Sequence, residues 1–312
     1  MARYESALDL IGDTPLVGVH ELSPNPAVRI YAKLEGQNPG GSSKDRIALK
    51  MVELAEADGV LTPGAAIIEP SSGNTGIGLA LVARRRGYKL RVVMPENVST
   101  ERRQLLEIFG ARVTLSSGEE GSNGAIRMAQ RIVSEEPGYV MLFQYGNPAN
   151  PLAHYEGTGP EIWRDCPEVD VFVAGLGTSG TLMGAGRYLK ERNPRIQVIA
   201  VEPPAGELVQ GLRNLDDGFV PPIFDPAVLD RRLIVRPRDS IIGARRLLDE
   251  CGVFAGISSG AAVAGAIKAA ERMQSGTIVV LLPDGGWKYL SSGAWTDDLD
   301  VVEERARRIN YW

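Results

Sequence analysis

The chain has 312 residues, 44% of them hydrophobic and 23% charged, with 36 glycines, which fits one large or two ordinary globular domains and excludes a disordered or fibrous protein. Lys+Arg of 34 against Asp+Glu of 39 gives a net charge of −5, which argues against nucleic acid and anionic membrane surfaces as partners. Cys166 and Cys251 stand alone, outside any CxxC or Cys/His cluster, so they read as packed, reduced thiols of a cytoplasmic protein with no zinc site, and no apolar run approaches the ~20 residues of a membrane span.

Strand and helix alternate along the chain. Residues 28–34 read as a strand and 43–58 as a helix; 65–69 is a short apolar strand and 75–86 a helix. A strand at 90–94 ends at Pro95, and a helix at 100–109 is stopped by Gly110. Strands at 113–115 and 139–142 flank a helix near 123–133. The second half repeats the theme with strand 171–174, helix 181–191 and strand 197–202, then helices 240–250 and 261–273 and a strand at 277–282. Short apolar strands between helices predict an α/β fold with parallel sheets covered on both faces. Residues 203–238 break the pattern, being rich in proline and poor in periodicity, and such a stretch inside a compact enzyme reads as functional or as a lid. Arg84, Arg85 and Arg86 close the 75–86 helix, where cations suit the dipole.

Ligands of such sheets bind beyond the carboxyl ends of strands, at helix N-termini. In Asn38-Pro39-Gly40-Gly41-Ser42-Ser43-Lys44-Asp45-Arg46, a glycine-rich turn sets Lys44 where a helix begins. The positive end of the helix dipole disfavours a second positive charge, so the position favours a neutral, nucleophilic amine able to condense with an aldehyde. The plainer alternative is a solvated loop lysine. The turn Pro70-Ser71-Ser72-Gly73-Asn74-Thr75-Gly76 offers hydroxyls and backbone N–H groups to a carboxylate or phosphate, or a simple N-cap. Gly175-Leu176-Gly177-Thr178-Ser179-Gly180-Thr181 contains G-x-G-x-x-G between strand and helix, and Glu202 ends the next strand, which taken alone suits a nicotinamide dehydrogenase. Its three hydroxyls instead suit a terminal phosphate. Gly256-Ile257-Ser258-Ser259-Gly260 again places serine before a helix, with capping as the alternative, and Gln144-Tyr145-Gly146-Asn147-Pro148 is a polar strand end. His20 and His154 are the two histidines, so a histidine-based triad is not expected. An amine, a phosphate cup, a carboxylate cradle and a serine together suit pyridoxal phosphate.

The motifs NPGGSSKDR, SSGNTG, QYGNPANPLAHYEGTGPEIW, GLGTSGT and GISSGAA, in this order, resemble the cysteine synthase family of fold-type II pyridoxal-phosphate enzymes, from Gly12 to about Ser292. The resemblance implies two open twisted α/β domains of the tryptophan synthase β-like architecture with the active site in the cleft between them. The smaller, mobile domain would span 36–150; 1–35 and 151–312 would form the larger one. It implies that Lys44 carries the cofactor and moves the α-proton, and that Asn74 bonds its ring oxygen. Gly177, Thr178, Ser179, Gly180 and Thr181 would hold its phosphate, and Ser258 would face its pyridine nitrogen. Ser71, Ser72, Gly73, Thr75 and Gln144 would hold the substrate carboxylate. Ser179 stands where the family usually has glycine. The implied reaction is β-replacement through an α-aminoacrylate, in a homodimer.

Within 203–238, Gly211-Leu212-Arg213-Asn214 precedes the stretch DDGFVPPIFDP. With GVFAGISSG and GGWKYLSSGAW, these are most similar to the actinobacterial O-phosphoserine sulfhydrylase (CysM-type) group. That likeness implies that Arg213 recognises O-phospho-L-serine, that sulfur arrives as a carrier-protein thiocarboxylate (on a small ubiquitin-like protein) or as sulfide, and that the tail near Ile309, Asn310, Tyr311 and Trp312 folds over the site. An arginine fork suits phosphate oxygens. Open alternatives are an O-acetylserine sulfhydrylase using sulfide or thiosulfate, a non-catalytic regulatory homologue, and an Arg213 ion-paired with Asp216 or Asp217. Residues 303–308 read as a solvated helix face.

Overall fold

The computed structural model describes residues 3–71 and 73–308; Ser72 and the tail residues Ile309, Asn310, Tyr311 and Trp312 lie outside the described residues. In chain order the strands are β1 (Leu16–Gly18), β2 (Val28–Leu34), β3 (Ala66–Pro70), β4 (Lys89–Pro95), β5 (Arg112–Ser116), β6 (Tyr139–Met141), β7 (Val171–Gly175), β8 (Gln197–Glu202), β9 (Arg231–Ile234) and β10 (Gly276–Leu282). The helices are α1 (Lys44–Ala57), α2 (Asn74–Arg86), α3 (Thr100–Ile108), α4 (Gly121–Glu135), α5 (Ala149–Ala153), α6 (Gly159–Asp165), α7 (Gly180–Arg192), α8 (Pro237–Cys251), α9 (Ile257–Ala270) and α10 (Leu299–Arg308).

The strands form two sheets, one ordered β1-β2-β10-β7-β8-β9 and one ordered β5-β4-β3-β6. Pairing is parallel in both, except that β1 runs antiparallel to β2. The apolar runs follow from burial on both faces. Ile30, Val173, Ile278 and Val280 pack against α8 and α9, while Phe172, Val198 and Val279 face α6 and α7. In the smaller sheet Ile67 and Val92 pack with Ile47, Met51, Ile77 and Leu79 of α1 and α2, and Ile68 and Val93 meet Ala125, Ala129 and Ile132 of α4. Helix ends carry their expected signals: Gly87 at φ 80° and Gly252 at φ 66° close α2 and α8 in left-handed caps.

The predicted strands and helices are present, with ends shifted by up to four residues. The largest shift is α9, which starts at Ile257 rather than 261. Ile-Ser-Ser-Gly is a poor helix former, but α8 and α9 cross with their backbones in close approach: a Cβ on Gly260 would lie 2.0 Å from the Ser240 carbonyl oxygen. Ser258 therefore lies inside the first helical turn, and α9 has no side-chain cap. Residues 203–238 are irregular apart from short 3-10 turns, β9 and the first residues of α8.

A buried polar cluster joins the two sheets. Lys33 of β2 pairs with Glu161 of α6 at 2.7 Å, and Arg46 of α1 pairs with Glu35 at 2.7 Å and Glu161 at 2.6 Å. Burial pushes the Glu35 carboxyl up, but Arg46 outweighs it and the net result is a fall to about 2.

Candidate active site

Lys44 is the first residue of α1, and its N-cap Ser43 makes no side-chain cap. Ser42 is pinned by an antiparallel bridge to Asp284 just beyond β10, which places the lysine over the carboxyl ends of the larger sheet. Desolvation lowers the ammonium pKa, against the attraction of Asp284, Glu35 and Asp45. Its Nζ reaches the Ser43 hydroxyl at 3.3 Å. The neutral amine expected from the helix end is thus favoured chiefly by burial.

The cleft holding Lys44 opens between the sheets and reaches the solvent. The loop after β3 forms one wall. Ser71 Oγ accepts from Gly76 N at 3.0 Å and from Gly73 N at 3.4 Å, so its own proton is available to a ligand. Thr75 donates to Gln144 Oε1 at 2.6 Å, which leaves the Gln144 amide N–H groups as donors. Gly73, Asn74 and Gln144 line the same wall. Asn74 Nδ2 donates to Asp284 at 2.7 Å and its Oδ1 accepts from Lys288 at 2.8 Å, which fixes the amide and leaves one N–H. The N-cap of α2 is Gly73 without a side-chain bond, and Ser71 serves the helix end instead, taking the N–H of Gly76, the third residue of α2, at 3.0 Å.

The opposite wall is the turn from β7 into α7. Gly177, Thr178, Ser179, Gly180 and Thr181 line it at the positive end of a 13-residue helix. Ser179 adopts φ 71°, the left-handed conformation that glycine takes without strain, and its buried Oγ has no partner. A Cβ on Gly177 would lie 2.7 Å from the Gly211 carbonyl oxygen. Glu202, the acid a dinucleotide reading would need, instead accepts from Leu215 N at 3.2 Å and pairs with Arg232 at 3.2 Å. Ser258 is 5% exposed and lines the floor.

Arg213 also faces the cleft, 8% exposed. Its guanidinium carbon lies 4.6 Å from the Phe219 ring centre and 5.3 Å from that of Tyr145. Nearby on the same loop, Asp216 pairs with Arg232 at 3.5 Å, and Asp217 accepts from Gly206 N at 3.0 Å.

Several residues arrive unannounced by the sequence. Asp284 accepts from Tyr289 as well as Asn74, and Lys288, fully buried, donates to Gly40 O at 2.9 Å. Burial lowers the Lys288 amine to about 8. Arg102 of α3 lies 5.0 Å from the Tyr289 ring centre and donates from Nη1 to the Gln210 side-chain oxygen at 3.0 Å. Glu69, at the end of β3, accepts from the backbone N–H of Phe143 and Gln144 at 2.8 and 3.0 Å. It holds the turn in which Phe143 takes φ 54°. His154 joins the hydroxyls of Thr158 at 2.9 Å and Thr181 at 3.1 Å, and burial lowers its imidazole to about 3. A neutral ring occupied at both nitrogens is no general base, as the scarcity of histidine suggested.

The donor set fits pyridoxal phosphate. A desolvated amine stands ready for an aldehyde, an unpartnered serine hydroxyl sits in a cup of N–H donors, and a neutral serine lies on the floor. The family profile described as "Pyridoxal-phosphate dependent enzyme" matches residues 7–284. A cysteine synthase of Staphylococcus aureus (strain N315) is 43% identical over 304 residues, covering 94% of this chain and 98% of that protein. Among solved structures, an O-ureido-L-serine synthase superposes with a TM-score of 0.90 at 39% identity, covering 95% of this chain and 97% of the other. A cysteine synthase of Entamoeba histolytica superposes with a TM-score of 0.89 at 36% identity, covering 98% and 96%. With two α/β domains, a cleft between them and this match over nearly its whole length, the chain belongs to the cysteine synthase family of fold-type II pyridoxal-phosphate-dependent enzymes.

Proposed function

We propose that this enzyme makes L-cysteine from O-phospho-L-serine, replacing the phosphate on Cβ by sulfur. The observation that carries the reading is Arg213, which lines the cleft with its guanidinium packed against the Tyr145 and Phe219 rings. A guanidinium packed on rings keeps a charged N–H fork that suits phosphate oxygens.

The residue roles in this reading are those that the motifs imply. Lys44 would hold the cofactor, the 177–181 loop its phosphate, Asn74 its ring oxygen and Ser258 its pyridine nitrogen. Ser71, Ser72, Gly73, Thr75 and Gln144 would hold the substrate carboxylate. When bound, pyridoxal phosphate supplies an electron sink for the bond broken at the substrate Cα. Lys44 Nζ takes the α-proton, and the Cβ–O bond breaks as Arg213 stabilises the departing phosphate. Sulfur then bonds to Cβ, and Lys44 Nζ returns its proton to Cα. A neutral hydroxyl at Ser258, in place of a carboxylate, tempers electron withdrawal and favours elimination over transamination.

In this reading residues 36–150 move as the smaller domain over 1–35 and 151–312, and closure excludes water from the reacting carbon. A decrease in radius of gyration on adding O-phospho-L-serine would register that motion. The enzyme is read as a cytoplasmic homodimer fed by sulfide or by a small ubiquitin-like carrier bearing a thiocarboxylate, an arrangement open to sedimentation and pull-down. Among the described residues no helix is long and apolar enough to cross a membrane.

The second reading is an O-acetylserine sulfhydrylase using sulfide or thiosulfate. It is favoured by similarity to a structure described as O-acetyl serine sulfhydrylase isoform 3 of Entamoeba histolytica, 36% identical with a TM-score of 0.87. Steady-state kinetics with both substrates separates the two. Loss of the charge-assisted pair in Arg213→Ala is expected to cut kcat/KM for O-phospho-L-serine about 10- to 100-fold and to spare O-acetyl-L-serine. An unchanged phosphoserine rate would sink the assignment.

A further inference from the structure

We propose that Asn150 is a positioning residue of the phosphate cup: its side-chain amide donates to the Thr178 hydroxyl oxygen and so commits that hydroxyl's single proton to the anion in the loop. The inference rests on the reading of residues 177–181 as the cofactor-phosphate cup.

Asn150 lies in α5, 1% exposed. Its Nδ2 is 2.9 Å from the Gln144 backbone oxygen and 2.9 Å from Thr178 Oγ1. A carbonyl oxygen only accepts, so the amide atom facing Gln144 has to be nitrogen. Rotating the amide would set two acceptors against each other. Thr178 must therefore accept from Asn150. The backbone N–H of Gly180 points at the same hydroxyl oxygen at 3.4 Å. Two donors then address the two lone pairs, and what Thr178 has left to offer the cleft is its proton.

The chain makes room for this amide. Its Oδ1 is buried without a partner, a cost accepted where the donors of the same amide are needed. A Cβ on Gly180 would lie 1.8 Å from that oxygen, so glycine at 180 admits the amide behind the loop. A free threonine hydroxyl can turn either a proton or a lone pair toward an anion, and only the proton attracts it. The same amide grips the backbone of Gln144, whose side chain accepts from Thr75. One side chain thereby ties the phosphate loop to the carboxylate wall.

The test dialyses holoenzyme loaded with pyridoxal phosphate, or with phosphate-free pyridoxal, against falling concentrations of the same compound, and reads retained cofactor by its visible absorbance. Asn150→Asp substitutes acceptors that draw the Thr178 proton back. The concentration of pyridoxal phosphate giving half retention is expected to rise about 10- to 100-fold, with pyridoxal unaffected. Thr178→Ala should show the same phosphate-dependent loss, and the double variant no further loss. Equal weakening of both compounds by Asn150→Asp, or independent addition of the two substitutions, would reduce Asn150 to a scaffold residue. If Thr178→Ala weakens pyridoxal phosphate and Asn150→Asp does not, the cup stands and the positioning role falls. If Thr178→Ala has no phosphate-dependent effect, both fall. Asn150→Ala, which removes the donors without adding charge, runs through the same cycle with the same expected pattern should the aspartate variant not fold.

Discussion

Ser179 sits where a left-handed turn is required, at φ 71°, and no capping bond compensates it. A non-glycine residue there costs on the order of 1 kcal/mol. Its buried, unpartnered hydroxyl explains why serine is placed there if that oxygen meets an anion. The two effects separate by mutation. Ser179→Gly is expected to raise thermal stability by up to about 1 kcal/mol, while lost hydrogen bonding weakens retention of pyridoxal phosphate about 10-fold. Thermal unfolding and dialysis of the same samples check both signs.

At the scale of elements, the loops at 38–46, 70–76 and 175–181 were legible because each lies between an apolar strand and a helix, whereas the turn at 256–260 joins α8 to α9 and was marked only by its serines and glycines. The missed elements lack that contrast. β1 has three residues and β9 reads Arg-Arg-Leu-Ile, so neither offers an apolar run. The stretch α5, the π turn at His154–Thr158, and α6 contains Pro148, Pro151 and Pro160, which read as breakers but sit at starts of turns, where proline is tolerated. The site residues that escaped notice, Asp284, Lys288, Arg102 and Asn150, act through contacts with distant segments, which periodicity does not encode. α10 was legible as a charged face, but its buried edge was not. Val302 is 3% exposed, belongs to the buried cluster that includes Val209 and Ile241, and lines a small cavity with Leu208, while Arg305 donates to Ser292 O at 2.8 Å. Val302→Asp is expected to unpack α10, raising hydrogen exchange across 299–308 and across 208–213 about 10-fold or more. Exchange confined to α10 would show that the helix does not brace the arginine loop.

For the whole molecule, the cluster of Lys33, Glu35, Arg46 and Glu161 clamps β2, α1 and α6 together. Glu35 is held at about 2 when folded, against 4.5 for an ordinary glutamate, so between those values the unfolded chain binds more protons. Its stabilising share, about 3 kcal/mol, is full above pH ~4.5 and is lost as pH falls toward ~2. Urea midpoints measured from pH 5 to 2 should fall along that limb. Glu35→Gln should flatten the limb and cost about 3 kcal/mol at neutral pH, because Arg46 loses a buried partner.

Arg213 N donates to Leu176 O at 2.8 Å, and Gly177 lies directly against Gly211. At position 213 itself the loop is thus fastened to the wall at 177–181 by main chain, which is indifferent to the side chain there. Under the proposed role of Arg213, specificity for the group on Cβ becomes an exchangeable part. A library at 213, with its ring neighbours Tyr145 and Phe219, can explore other β-substituted serines while the backbone beneath the cofactor stays as it is.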